Sequence, residues 1–413
     1  MPEPAVSAPT DVDDWAATGN LSGGAVGGYL GDAADAIVRE ALTAAGATVL
    51  GASIVSTEPR GRGAIVGVEA EIVTDDGTER RTCYVDDSRS PAEIWVHPDD
   101  PRLPALAAAT FPHALATLLA RVGLAGDLDD VELVAYRPGR RAVVRAGLGD
   151  RTVFAKVVRP ERAEAIVERH RMLRGAGLPV PGVLGWSPAG VVVLEAAAGV
   201  ALDSVAGDID PSAVVSAIDG LRSRLASIDG LAASVRPSVP SRASWYATRL
   251  GDRMPRLAER LRPLVSFAAN AGTDTRYVAV HGDLHAGQLF IDHASAQVTG
   301  LIDVDTLALG DVGTDVGAFL AHALASAELV RAAGDVHRAA GFEDLARHGA
   351  ATWLEASTPN ESDAGTVLSA RRHTVGQLLA QAMQLAGGHG LEQSADRLVR
   401  AAERVVNDEE ALI

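Results

Sequence analysis

Two apolar runs that each end on carboxylates do most to constrain how this chain folds. The first, Tyr277-Val278-Ala279-Val280, delivers His281-Gly282-Asp283-Leu284-His285-Ala286-Gly287-Gln288. The second, Leu301-Ile302, ends on Asp303-Val304-Asp305. A strand thus hands over to a turn carrying an Asp, a side-chain amide follows, and a second strand stops at another Asp. Phosphoryl transfer from ATP uses such parts: one carboxylate orients the attacking hydroxyl, while an amide and a second carboxylate hold Mg2+.

A single lysine sharpens this reading. Of 37 basic side chains only Lys156 is not arginine. A chain that uses arginine everywhere else keeps lysine where a compact, point-like ammonium is needed. Lys156 lies in Val153-Phe154-Ala155-Lys156-Val157-Val158, a buried-strand pattern in which a solvated charge is out of place.

Composition narrows the remaining classes. At 413 residues the chain exceeds one ordinary compact core, so two or three subdomains are expected. A 47% apolar and 22% charged composition is that of a soluble globular protein. The net charge of −17 argues against nonspecific binding to nucleic acid or to an anionic membrane. The one cysteine, Cys83, rules out an internal disulfide and a Cys-based zinc site. No apolar run reaches transmembrane length, since Val191–Leu202 carries Glu195, and the N-terminus lacks signal-peptide regions. These features predict a soluble, cytoplasmic protein.

Along the chain, residues 1–28 read as a flexible Pro-, Ala- and Gly-rich leader. A helical pattern over 30–45, strands at 48–56, 64–74 and 81–86 with an Asp75-Asp76-Gly77 hairpin signal, and a helical stretch at 103–122 suggest an α/β cap module over 29–125. A β-rich block follows over 126–198. Its strands lie at 131–136, 142–146, 152–158, 183–186 and 190–195, with a charged helix at 162–175 before the breaker Gly177-Leu178-Pro179-Val180-Pro181. From Pro211 the pattern is helical, interrupted only at 277–305 by the catalytic strands, so residues 199–413 read as a helical lobe.

The order of these motifs resembles the kinase-like phosphotransferases, a group that includes aminoglycoside phosphotransferases, maltokinases and choline kinases. The resemblance spans about residues 131–320. It implies an α+β, bilobal protein-kinase-like fold with a β-rich small lobe, a helical large lobe and an N-terminal α/β cap. It further implies that Asp283 is the catalytic carboxylate, that Gln288 and Asp303 hold Mg2+, and that Lys156 binds the phosphates of ATP. Glu168 would pair with Lys156, with Glu164 one turn away as the other candidate. In Arg137-Pro138-Gly139-Arg140-Arg141, where kinases carry a Gly-rich loop, Arg140 is the phosphate-contacting candidate; a solvated hairpin is the competing reading. Val193-Leu194-Glu195 matches the linker whose backbone reads the adenine edge.

Gln288 departs from the Asn of the aminoglycoside enzymes, whereas His-Gly-Asp-x-His-x-Gly-Gln occurs among maltokinases. The segment Asp315–His322 looks more like the aminoglycoside branch. Asp315 matches an Asp that braces the catalytic loop in these families, and a helix cap is the other reading of that residue. Asp305 is close enough to Asp303 to assist a metal, a point that strand alternation leaves open. The resemblance implies an ATP- and Mg2+-dependent transfer of phosphate to a small-molecule hydroxyl. A sugar or amino-sugar acceptor is slightly favoured over an aminoglycoside. A nucleotide-binding pseudokinase would have lost Asp283, Asp303 or Lys156, and all three are present.

Overall fold

The computed structural model describes residues 33–60, 63–74, 77–89, 91–229, 231, 239–270, 276–355 and 361–407. The leader expected over 1–28 lies outside them, as do Asp75 and Asp76 of the hairpin signal. The chain divides into two compact units between Arg102 and Leu103.

In the first unit, helix α1 (Ala34–Ala44) precedes an antiparallel meander of β1 (Thr48–Arg60), β2 (Gly63–Thr74), β3 (Gly77–Asp86) and β4 (Glu93–Val96), in that spatial order. Val66, Val68, Ala70 and Ile72 of β2 join Cys83 and Val85 of β3 in packing with Ala34 and Val38 of α1. The one cysteine is therefore a core residue.

The second unit opens with α2 (Leu106–Thr110) and α3 (Pro112–Arg121). These helices were expected in the cap, with a boundary near residue 125, and the structure corrects that assignment. Leu106, Ala109, Leu115 and Leu119 are buried in one cluster with Ala142, Val144, Val153, Ala155 and Val157 of the following sheet. Their apolar stripe has a sheet face to cover, and covering it draws them into the second unit.

That sheet contains β5 (Leu128–Arg137), β6 (Arg141–Leu148), β7 (Arg151–Val158), β8 (Val183–Ser187) and β9 (Val191–Glu195) in the order β5-β6-β7-β9-β8. Helix α4 (Pro160–Gly175) lies between β7 and β8 in sequence and covers the opposite face, where Ala163, Ile166 and Val167 pack on Val158 and Val192. Alternation along β7 therefore sends Val153, Ala155 and Val157 toward α2–α3, and Lys156 and Val158 toward α4. In the antiparallel β6–β7 pair Val143 faces Lys156 and Arg141 faces Val158. Arg141 thus shares Lys156's face.

The rest is mostly helical. A short β10 (Val200–Ala201) leads into α5 (Pro211–Ala226), α6 (Ala243–Arg253) and α7 (Ala258–Ala269). Two small antiparallel sheets follow, built from β11 (Tyr277–Val280), β12 (Leu289–Ile291), β13 (Val298–Leu301) and β14 (Ala308–Asp311). Strand β11 pairs with β14, and β12 lies between β10 and β13. Helices α8 (Thr314–Ala332), α9 (Val336–Trp353), α10 (Glu361–Leu385) and α11 (Glu392–Asn407) complete the unit. Helix α8 is apolar nearly all round and runs through the core, with Phe319 and Leu320 fully buried beside Phe342 and Leu345 of α9 and Leu378 and Leu379 of α10. The second unit is thus a β-rich small lobe followed by a helical large lobe, the bilobal kinase-like arrangement. Among the described residues no helix is long and apolar enough to cross a membrane.

Candidate active site

Strand β11 ends at Val280, and Gly282, at φ +86°, turns the chain so that Asp283 leaves the sheet. Only a residue without Cβ takes that backbone conformation readily. The turn is held from the far side by Asp315 in the first turn of α8. One carboxylate oxygen accepts from the His281 amide at 2.9 Å and the other from the Gly282 amide at 2.7 Å. The Thr306 hydroxyl donates to the His281 carbonyl at 2.7 Å, and the His281 ring, itself fully buried, donates from Nε2 to the Ile302 carbonyl at 3.0 Å. Asp315 therefore braces the loop and caps nothing, since α8 has no side-chain cap.

The second carboxylate loop is tied to the first through backbone. The Ile302 amide donates to the Gln288 carbonyl at 3.0 Å. Asp303 then sits at φ +55°, ψ +44°, left-handed for a residue with a side chain, before a 3-10 turn over Val304–Thr306. Such a conformation costs on the order of 1–3 kcal/mol and persists only where surrounding contacts fix it. Here those contacts are ionic. Lys156 Nζ lies 2.9 Å from Asp303 Oδ1 and 2.5 Å from Asp305 Oδ2, while Arg141 Nη1 lies 3.0 Å from Asp303. Two cations from one face of the small-lobe sheet meet two carboxylates from the large lobe.

The electrostatics follow from that arrangement. Burial works against the Lys156 ammonium, but Asp303 and Asp305 outweigh it and hold its pKa above the ordinary lysine value. Burial likewise opposes ionisation of Asp303, yet Lys156 and Arg141 hold that carboxyl well below the usual carboxylate range. Two oxygens in this cluster are buried without a hydrogen-bond partner: Gln288 Oε1 and Asp305 Oδ1. Both are acceptors, and an orphaned pair of oxygens beside an ionised Asp303 fits a hard divalent cation. Among the described residues no three of His, Cys, Asp and Glu converge as a metal-holding group by themselves. A cation here would therefore draw on the Gln288 amide and on phosphate oxygens.

Around Asp283 the environment is set by imidazoles. The rings of His285 and His322 stack with centroids 4.7 Å apart, and His322 Nε2 lies 3.7 Å from Asp283 Oδ1. Gln381 of α10 donates its amide to His322 Nε2 at 3.0 Å. Burial pushes His322 down to about 3, with His285 adding to the shift, and burial also lowers His285 despite the pull of Asp283. Both rings are neutral at pH 7, so neither neutralises the carboxylate.

The acid expected beside Lys156 stands elsewhere. Glu168 does not pair with Lys156; it is 66% exposed and bonded to Arg171. The inward stripe of α4 is Ala163, Ile166, Val167, His170 and Leu173, and Glu164 and Glu168 fall outside it. His170 on that stripe donates from Nδ1 to the Pro181 carbonyl, 3.0 Å away. Glu195 uses its side chain to hold the Gly182 amide at 3.0 Å, and its own backbone N–H is bonded to the Gly182 carbonyl at 2.9 Å. That N–H is not available to a base. At the sheet entrance, Arg141 reaches Asp303. His322 and Gln381 were missed from the sequence as site residues, whereas Arg141 stood among the arginines of the candidate turn, and its place on the sheet was readable. The two-residue turn Gly149-Asp150 pairs Leu148 with Arg151, and counting back along the hairpin sets Arg141 against Val158.

A β-rich lobe that presents a buried lysine to paired aspartates of a helical lobe is the architecture of a kinase-like phosphotransferase. The family model described as "Phosphotransferase enzyme family" matches residues 132–353, more than half of the chain. The chain belongs to that family and is a small-molecule kinase. It is similar in structure to aminoglycoside phosphotransferase APH(4)-Ia, with 15% identity over 71% of this chain and 97% of that one and a TM-score of 0.46. Aminoglycoside phosphotransferase APH(3'')-Id from Streptomyces rimosus shares 21% identity over 63% of this chain and 97% of its own, at a TM-score of 0.37. Spectinomycin phosphotransferase APH(9)-Ia, solved with ADP and spectinomycin, shares 11% over 73% and 98%, at a TM-score of 0.46. No curated protein sequence matches the chain.

Proposed function

We propose that the protein transfers the terminal phosphate of Mg-bound ATP to a hydroxyl of a polyhydroxylated, amine-bearing small molecule, an amino sugar or an aminoglycoside. The observation that carries this reading is the convergence of Lys156 with Asp303 and Asp305, at 2.9 and 2.5 Å, beside a braced Asp283 loop. Lys156 bonds phosphate oxygens. Gln288 and Asp303 would hold Mg2+, with the orphaned oxygen of Asp305 as a third donor. When bound, the metal neutralises charge on the transferring phosphoryl group.

Asp283 accepts the hydrogen bond of the acceptor hydroxyl and aligns its oxygen with the phosphorus. The neutral His285–His322 pair offers ring nitrogens to a polar acceptor. The sugar-ward preference drawn from Gln288 and the aminoglycoside-ward one drawn from the Asp315–His322 segment both fit an acceptor of this class. The protein is small-molecule-directed on this reading, with no nucleic-acid or membrane partner.

The test is ADP release with Mg·ATP across amino sugars, neutral sugars and aminoglycosides. Turnover should appear with at least one amine-bearing acceptor. Asp283→Asn should cut that turnover by about 10²–10⁴-fold, the range for a lost general base, while ADP binding persists. Full activity in Asp283→Asn would remove it from the catalytic role.

A further inference from the structure

We infer that Arg141 is a second phosphate-binding cation, one that reads the terminal phosphate and so lets the site distinguish a nucleoside triphosphate from a diphosphate. The inference rests on the phosphotransferase reading and extends it to a residue outside the Lys156 pair.

Three observations carry it. First, Lys156 has no acid facing it from α4, where Glu161, Glu164 and Glu168 all lie off the buried stripe; its counterions are Asp303 and Asp305. The carboxylates of the Asp303–Asp305 loop thus hold both Lys156 and Arg141. Second, Arg141 is built into this cluster rather than straying into it. Strand alternation and the β6–β7 register place it on Lys156's face, and its Nη1 lies 3.0 Å from either oxygen of Asp303. Third, the Arg141 side chain is only 29% exposed and that of Asp303 18%, so their contact is largely shielded from solvent.

Chemistry links the three. Gln288 Oε1 and Asp305 Oδ1 are buried acceptors awaiting a donor. Asp303 and Asp305, which hold Lys156 and Arg141, would also hold a divalent cation bound with the nucleotide. Each carboxylate oxygen given to the metal releases N–H donors of those two side chains beside the incoming phosphates. In-line transfer puts the terminal phosphate between the Asp283-aligned hydroxyl and the rest of the nucleotide. Arg141, seated against Asp303, would meet that phosphate with a planar guanidinium whose fork suits two phosphate oxygens at once.

The experiment is calorimetric titration of the full chain with Mg·ADP and with the β,γ-imido analogue of Mg·ATP. Wild type is compared with Arg141→Gln and Arg141→Lys. Arg141→Gln should weaken the analogue about 10- to 100-fold, the worth of one or two charge-assisted hydrogen bonds, while ADP changes by less than about 3-fold. Arg141→Lys, which keeps the charge but not the fork, should fall between. Equal weakening of both nucleotides, or of neither, overturns the inference and leaves the phosphotransferase reading standing. A wild-type protein that takes up neither nucleotide overturns both. If Arg141→Gln does not fold, the analogue-to-ADP ratio in Arg141→Lys decides: a selective loss supports the inference and an unchanged ratio overturns it.

Discussion

Asp315 shows how much a single carboxylate can govern without touching substrate. It is buried, and both oxygens are committed to backbone amides of the loop that carries Asp283. Asp315→Ala would strand two buried N–H groups, each costing about 1–3 kcal/mol. The variant should lose about 2–5 kcal/mol of stability in a denaturant titration, with turnover falling as the loop loosens. Asp315→Asn retains one acceptor oxygen and should lose roughly half as much. Equal losses in the two variants would show that the hydrogen bonds are not the cause. Asp303 offers a second check at this scale. Asn tolerates the left-handed backbone that Asp303 adopts, so Asp303→Asn removes charge without adding strain. Lys156 keeps Asp305, and the stability loss should stay within about 1–3 kcal/mol, while turnover collapses. That the loops of Asp283, Gln288 and Asp303 come together was legible from spacing and residue type. The sharing of one carboxylate by two cations was not legible, because that contact joins β6 to a loop far along the chain.

Among the elements, α4 and α8 are instructive in opposite ways. The period of α4 was readable: Ala163, Ile166, Val167, His170 and Leu173 recur at helical spacing and exclude Glu164 and Glu168 from the covered face. The kinase resemblance supplied a glutamate that the local pattern did not. Helices α2 and α3 present the reverse case. Their apolar spacing was visible, but the sheet they would cover was not, because periodicity identifies a buried face and leaves its partner to tertiary packing. Helix α8, which carries both Asp315 and His322, is seated by a missing side chain. A Cβ on Gly317 would meet the backbone and Cβ of His373 on α10. Gly317→Ala should therefore force α8 and α10 apart, lowering stability by about 1–3 kcal/mol and turnover with it. Gly220 in α5 is exposed and has open space where its Cβ would stand. Gly220→Ala should raise stability by about 0.5–1 kcal/mol, leaving activity unchanged. Thermal melts of the two variants must move in opposite directions if packing, and not glycine itself, is what matters.

For the whole molecule, acidification sets two effects against each other. The chain carries a net charge of −17 at pH 7, and neutralising carboxylates relieves repulsion in the folded state. That effect is long-ranged, and at about 0.15 M salt the screening length is only about 8 Å. The opposing effect is buried and poorly screened. His322 is held down to about 3 and His170 is lowered too, both chiefly by burial. His322 is neutral in the folded chain at pH 6, and as pH falls below about 6.5 each of the two takes up its proton in the unfolded chain before it does so in the folded one. The unfolded state then binds more protons, so stability falls with pH by up to about 1.4 kcal/mol per pH unit for each such histidine. For His322 the loss continues until the folded ring itself titrates. Asp303, depressed by Lys156 and Arg141, adds its own loss only below about pH 4, where its unfolded counterpart begins to protonate. The expected profile in 0.15 M salt is therefore level above pH 7, declining from about 6.5 and steeper below about 4. Denaturant midpoints taken from pH 7.5 to 5.0 measure it directly. His322→Gln, neutral at every pH, should flatten the decline between 6.5 and 5 by about one proton's slope. An undiminished slope in that variant would place the titrating group elsewhere, and a stability that rises on acidification would mean that relief of the −17 charge outweighs the buried histidines.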